Sequence, residues 1–264
     1  MPARAATPAL PDAPSPDEPR LTAAGRVLSV LSAFGPRHRS LTLSEIARRA
    51  ELSLPTAYRL TRELVAWGVL ERGPDRRFTV GLRLLELSAL APRGLRLREA
   101  AFPYLDDLHE RTRGNVHLGV RDGHEVVYVE TLRARVGNPL SSRVGDRRPL
   151  HVTGTGLVLL AYAAQEVQDE VLASPLQRLT PMTLTDPAAL RAELAEIRRT
   201  GVAVARGRIT LPDLVVAVPV SDPDGRTAAA ISVVVDAATA RPRELTALLT
   251  RTARSITRSL GPAA

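Results

Sequence analysis

In the stretch from Leu41 to Leu70, LTLSEIARRAELSLPTAYRLTRELVAWGVL, two short amphipathic helix patterns meet at a three-residue junction, which limits what the first third of the chain can fold into. Thr42 and Glu45 have the spacing of a capping box, in which each side chain satisfies a backbone N–H left free at the start of a helix, and Leu41 is placed to pack on Ile46. A helix is expected from Leu43 to about Ala50, with Leu43, Ile46, Ala47 and Ala50 on one buried stripe. Ser53 then suits a second N-cap, and Pro55 falls in a first turn, where its missing N–H costs nothing. Ala57, Leu60, Leu64 and Val65 form the inward face of this second helix, while Thr56, Arg59, Arg62 and Glu63 point outward.

Two packed helices with solvated arginines could be only a piece of core. The neighbouring residues on both sides favour a reading device. VLER and RRFTV are short β-prone runs joined by Gly73-Pro74-Asp75, a hairpin with Arg72, Arg76 and Arg77 at its tip, and Val27, Leu28, Leu31 and Phe34 upstream supply a third helix. Residues 21 to 90 hold 11 Arg against six acids, most of the formal net charge of +8, and the chain contains no Lys. Three helices and a basic hairpin make a winged helix-turn-helix, whose second paired helix enters the major groove while basic wing residues meet phosphates.

The remaining chain has a different grammar. Residues 1 to 20 carry six prolines and almost nothing to bury, so a disordered tail is expected. GLRLLELSALAPRGLRLREA is a Leu-rich helix interrupted near Pro92 and Gly94, as at a domain boundary. A helix from Leu97 to Thr112 precedes NVHLGVRDGHEVVYVETL, two β-rich runs around Asp122-Gly123. Asp186-Pro187 opens a further helix. VAVAR, LVVAVPVS and TAAAISVVVD are expected strands, the last two joined by Asp222 to Gly225, and a helix from about Arg243 to Leu260 closes the chain. The fold class is α+β. The expected divisions are a tail over 1–20, a winged helix-turn-helix over 21–80, a linker helix over 81–96 and an antiparallel-sheet domain over 97–264.

These motifs, in this order, resemble the IclR family of bacterial transcription regulators. The resemblance rests on LTLSEIARRAELSLPTAYRLTRELVAWGVLER, GLRLLELSAL, LREAAFPYLDDLHERTRGNVHLGVRDGHEVVYVE, VGDRRPLHVTGTGLVLLA, LTPMTLTD, IRRTGVAVA and AISV, which span nearly everything from residue 21 onward. It implies an N-terminal winged helix, a linker helix and a C-terminal GAF-like domain that binds a small-molecule effector. It also implies a homodimer or dimer of dimers, paired largely through the DNA-binding domains, that represses or activates operons; a repressor is the expected sign.

The departures from the family pattern bear on both sites. Where the family usually reads G-L-P-K-S-T-A-Y-R, residues 51 to 59 read ELSLPTAYR, so a Lys and a Ser are replaced by Leu54 and Pro55. The DNA-contacting set is therefore expected to be Ser44, Leu54, Pro55, Thr56, Tyr58, Arg59, Arg62, Arg72, Arg76 and Arg77, with Arg59 and Arg62 suited to guanine and Leu54 or Pro55 to a thymine methyl. For the effector the resemblance implies Leu118, Thr153, Gly154, Thr155, Ala205, Val215, Ser232 and Val234. Gly154 and Thr155 stand at a helix N-terminus, which receives carboxylates. A family Lys is replaced by Leu157, and Ala205, Val215 and Val234 stand where relatives sensing small organic acids carry polar side chains. A desolvated carboxylate needs donors, so a fairly apolar effector, or none, is expected.

Other signals are weaker. Only His117 and His124 among five histidines could meet, across a hairpin, and no carboxylate has ligand spacing with them, so no metal is expected. Gly154-Thr155-Gly156 lacks the third glycine of a dinucleotide loop, and no cofactor or catalytic motif is present. The alternatives are a nucleic-acid-binding protein whose C-terminal domain only dimerises, its interior filled by side chains, and, more remotely, a small-molecule enzyme. With zero Cys and no apolar run approaching the ~20 residues that cross a bilayer, a cytoplasmic protein without a membrane partner is expected.

Overall fold

The computed structural model describes residues 21–35, 37–90, 94–134 and 142–261. The tail expected over 1–20 lies outside them. The chain divides into two compact units at residue 90.

In the first unit, α1 (Ala23–Ser32), α2 (Leu43–Arg49) and α3 (Leu54–Ala66) enclose a core of Val30, Ile46, Leu60, Leu64, Leu70 and Phe78. The capping box forms as expected: Glu45 N donates to Thr42 Oγ1 at 3.3 Å, and Thr42 N to Glu45 Oε2 at 2.7 Å. On α1 the inward face is shifted from expectation, since Val30 is fully buried while Leu28 is 61% exposed. Ser53 occupies the N-cap of α3 without bonding its backbone, its hydroxyl donating instead to Thr56 Oγ1 at 2.9 Å. β2 (Leu70–Arg72) and β3 (Phe78–Val80) form the wing, and β1 (Ser40–Leu41), too short to give a sequence pattern, joins them in the order β1-β3-β2. α4 (Leu82–Ala89) comes next. α4 ends at Ala89 and α5 begins at Leu95, on either side of the interruption expected near Pro92 and Gly94, and Pro92 lies outside the described residues.

The second unit is a six-stranded antiparallel sheet with helices on both faces. Its elements are α5 (Leu95–Thr112), β4 (Asn115–Asp122), β5 (Glu125–Leu132), β6 (Arg147–Pro149), a 3-10 turn (Leu150–Val152), α6 (Gly154–Ala161), α7 (Gln165–Ala173), α8 (Pro187–Thr200), β7 (Ala203–Arg206), β8 (Asp213–Ser221), β9 (Thr227–Asp236) and α9 (Pro242–Leu260). The strand order is β6-β5-β4-β9-β8-β7. α5 and α9 cover one face through Leu105, Leu108, Leu249 and Ile256, packed on Leu118, Val216, Ile231 and Val233. α6, α7 and α8 cover the other through Leu157, Leu160, Val171, Leu190 and Leu194. Asp186 caps α8 by accepting Ala189 N at 2.7 Å. Burial on both faces removes the period-2 polarity of β4, whose first five residues are all buried.

Candidate functional site

The first unit presents α3 with Ala57, Leu60, Thr61 and Leu64 buried and Leu54, Pro55, Tyr58, Arg59 and Arg62 exposed on the other side. Thr56 is half-buried at the helix start, and Ser44 is exposed in the first turn of α2. An exposed helix face bearing two guanidiniums, a phenol and short apolar groups has the dimensions and chemistry of a major-groove reader.

The wing arginines do not share one role. Arg76 is exposed at the turn, held at φ 61°, and Arg72 lies over the Phe78 ring, 5.7 Å from its centroid. Arg77, expected at the tip with them, points back into the unit: Nη2 donates to Ser40 O at 2.9 Å and to Glu45 Oε2 at 2.9 Å, and Nε donates to Ser40 Oγ at 3.1 Å. Arg77 therefore ties β3 to β1 and to the start of α2.

In the second unit, the pairing aligns Asn115, Val234, Val215 and Ala205 in one row across β4, β9, β8 and β7, and His117, Ser232 and Ala217 in the next. α6 lies close against this face because it starts with glycines: a Cβ on Gly154 would stand 2.6 Å from Val215 Cγ1, and one on Gly156 2.3 Å from Leu150 O. Thr153 caps the helix, accepting Gly156 N at 2.8 Å. The first N–H groups of α6, at Gly154 and Thr155, have no intrahelical acceptor and carry the positive end of the helix dipole.

Between α6 and the sheet is a cavity of about 50 Å³. Its lining contains Thr153, Gly154, Thr155, Ala205, Val215, Ser232 and Val234, seven of the eight positions expected to hold an effector. Leu118 is not among them; it is fully buried on the opposite face of the sheet, in the α5/α9 core. Leu157, at the position of the family Lys, is likewise core.

Polar residues beyond the expected set also reach the lining. Asn115, His117, Tyr128, Ser142, Arg208, Thr210 and Asp213 also line the cavity. Burial pushes His117 down to about 4, so its imidazole is neutral near pH 7. Its Nδ1 lies 3.5 Å from Ser232 Oγ, its Nε2 is buried with no hydrogen-bond partner among the described residues, and its ring centroid is 5.0 Å from that of Tyr128. Burial raises the Tyr128 phenol, against the opposing pull of its hydrogen bonds with Thr155, Thr153 and Ser142. Asp213 is also raised, by burial first, with the Thr210 hydroxyl opposing and Asp236 adding to the rise. Arg208 is held by Glu193 and by donating to His151 O at 3.3 Å. Its loop is fastened from outside, where Thr180 Oγ1 donates to Gly207 O at 2.6 Å and Thr183 Oγ1 to Arg208 O at 2.7 Å.

His124 does not approach His117. It sits in the β4–β5 turn with Nε2 2.7 Å from Glu170 Oε2. Among the described residues no three His, Asp or Glu side chains gather as metal ligands, and no helix is long and apolar enough to cross a membrane.

Comparison with known proteins agrees with both units. A family model described as the IclR helix-turn-helix domain matches residues 23–74, and one described as the bacterial transcriptional regulator IclR C-terminal matches residues 90–258. The chain is 30% identical over 216 residues to the HTH-type transcriptional regulator XynR of Escherichia coli (strain K12), covering 81% of this chain and 86% of that one. It is 31% identical over 214 residues to the p-hydroxybenzoate hydroxylase transcriptional activator of Acinetobacter baylyi, covering 78% of each. Among solved structures, an IclR homologue from Microbacterium hydrocarbonoxydans, complexed with 4-hydroxybenzoate, is similar with a TM-score of 0.86 at 38% identity, covering 89% of this chain and 97% of that one.

Proposed function

Because the chain belongs to the IclR family of bacterial transcriptional regulators, we propose that it binds operator DNA through α3 and the wing and senses a small hydroxylated aromatic acid in the cavity beside α6. One observation carries the sensing half: the start of α6 and the buried His117 Nε2, which has no partner among the described residues, belong to one lining. A domain serving only to dimerise has no use for such a cavity and gains by filling it.

The lining matches an aromatic acid in kind. The free N–H groups of α6 suit a carboxylate, Val152, Ala205, Val215 and Val234 suit a ring, and hydroxyl and imidazole groups suit a further polar substituent. That the similar Microbacterium structure is complexed with 4-hydroxybenzoate supports the same class. At about 10–15 Å³ per water, a cavity of about 50 Å³ holds roughly four waters, so a disubstituted ring requires the lining to yield.

On the DNA side, Arg59 and Arg62 read base edges while Arg72 and Arg76 meet phosphates; Arg77 serves the fold. The first unit exposes Leu28, Trp67, Leu82, Leu85 and Leu90, an apolar surface that supports pairing of two copies. Footprinting on the DNA upstream of the protein's own gene tests this reading. Two protected half-sites about one helical turn, or a multiple of it, apart are expected, and protection independent of sequence would contradict it.

A further inference from the structure

His117 is the odd member of the cavity wall. It is buried, stands between the apolar Val116 and Leu118 on β4, and has no hydrogen-bond partner for Nε2 among the described residues. An imidazole nitrogen buried in this way carries a desolvation cost that a hydrogen bond from within the cavity would relieve. The charged or titratable side chains that share the lining are Tyr128, Arg208 and Asp213. None of them holds Nε2.

The ring is fixed from two sides, by Ser232 Oγ at Nδ1 and by the tilted Tyr128 ring. Tyr128 also spans the distance to α6, since its hydroxyl bonds Thr155 and Thr153 while its ring lies against His117. Two polar parts of the lining therefore differ in character. The start of α6 offers N–H dipoles suited to an anion. His117 offers a neutral imidazole, which pairs with a hydroxyl whichever of its nitrogens carries the proton, because a hydroxyl both donates and accepts. A carboxylate placed there would instead draw a proton onto the ring.

We infer that His117 is a specificity-determining residue whose Nε2 hydrogen-bonds the hydroxyl of the effector, Ser232 positioning it from Nδ1 and Tyr128 from the ring face. The inference rests on the proposed effector class and adds to it the atom that selects a hydroxylated ligand over its deoxy analogue.

The test is calorimetric titration of the full chain with 4-hydroxybenzoate and with benzoate at pH 7, in phosphate and in Tris. 4-Hydroxybenzoate is expected to bind about tenfold tighter than benzoate, as one net hydrogen bond gives, with no proton taken up between the two buffers. His117→Phe keeps an aromatic ring, loses both nitrogens, and should bring the affinity ratio to about one. A preference that persists in His117→Phe, equal binding of the two acids by the wild type, or uptake of about one proton per 4-hydroxybenzoate would each overturn the role of His117 and leave the effector class standing. Binding of neither acid by the wild type would overturn both. The buffer comparison uses the wild type alone, so the outcome does not depend on the variant folding.

Discussion

Arg77 Nη2 stands 2.9 Å from Glu45 Oε2, the same carboxylate oxygen that receives Thr42 N at the start of α2. A wing arginine thus completes a helix cap. The Glu45 carboxyl is held below its usual range, first by the Thr42 backbone bond and its side-chain bond, with Arg77 a smaller contributor. Arg77→Ala should lower the melting temperature of the first unit and change DNA affinity only in proportion to unfolding. Thermal denaturation followed by anisotropy on folded protein separates the two, and full stability with lost DNA binding would reverse the assignment.

Arg76 should behave in the opposite way. At φ 61° it occupies left-handed backbone, which costs a non-glycine residue roughly 1–2 kcal/mol. Arg76→Gly relieves that cost and removes an exposed cation, so stability should hold or rise. DNA affinity should fall alike on all sequences, with the salt dependence flattened by about one unit of slope. Sequence-selective loss would place Arg76 on a base instead.

Arg59→Ala should leave melting unchanged, since the side chain is exposed, and weaken operator binding by about 1–3 kcal/mol relative to random DNA. Gel-shift titration at fixed salt with both DNAs reads that difference; parallel losses would make Arg59 a phosphate contact.

His117 predicts a pH dependence whose sign is set by its burial. The folded chain holds it down to about 4 against 6.5 for the free side chain. Between those values the unfolded chain binds a proton that the folded chain refuses. Stability is therefore complete above about pH 6.5 and falls toward pH 4, by up to about 3 kcal/mol from this residue. Urea unfolding at several pH values should show this slope in wild type and a shallower one in His117→Phe, where His151, also lowered by burial, still contributes.

Gly156→Ala tests the seating of α6. Its Cβ would meet the Leu150 carbonyl at 2.3 Å, backbone that cannot swing aside. A loss of about 1–3 kcal/mol, typical of overpacking, is expected in chemical denaturation. A neutral substitution would mean that the helix start is looser than the packing implies.

Legibility in the sequence tracked the strength of local rules. The Thr42/Glu45 box, the Asp186 cap and the apolar stripes of α2 and α3 are short-range and readable, because each element satisfies its own termini. The face of β4 was not readable. Both sides of the strand are covered by helices, so Leu118 and His117 are both buried and alternation gives no direction; the one polar side chain in that apolar run was the available signal. Arg208, Thr210 and Asp213 reach the cavity from or beside a connection that has no periodicity. Likewise, nothing in RRFTV distinguishes Arg77, turned inward by a partner 32 residues away, from Arg76.

Coupling between the cavity and DNA is read most directly by fluorescence anisotropy of the full chain on DNA from upstream of its own gene, with and without saturating 4-hydroxybenzoate. A change in Kd of at least about fivefold is expected, the lower end of typical allosteric coupling. An unchanged Kd with the effector demonstrably bound would contradict it.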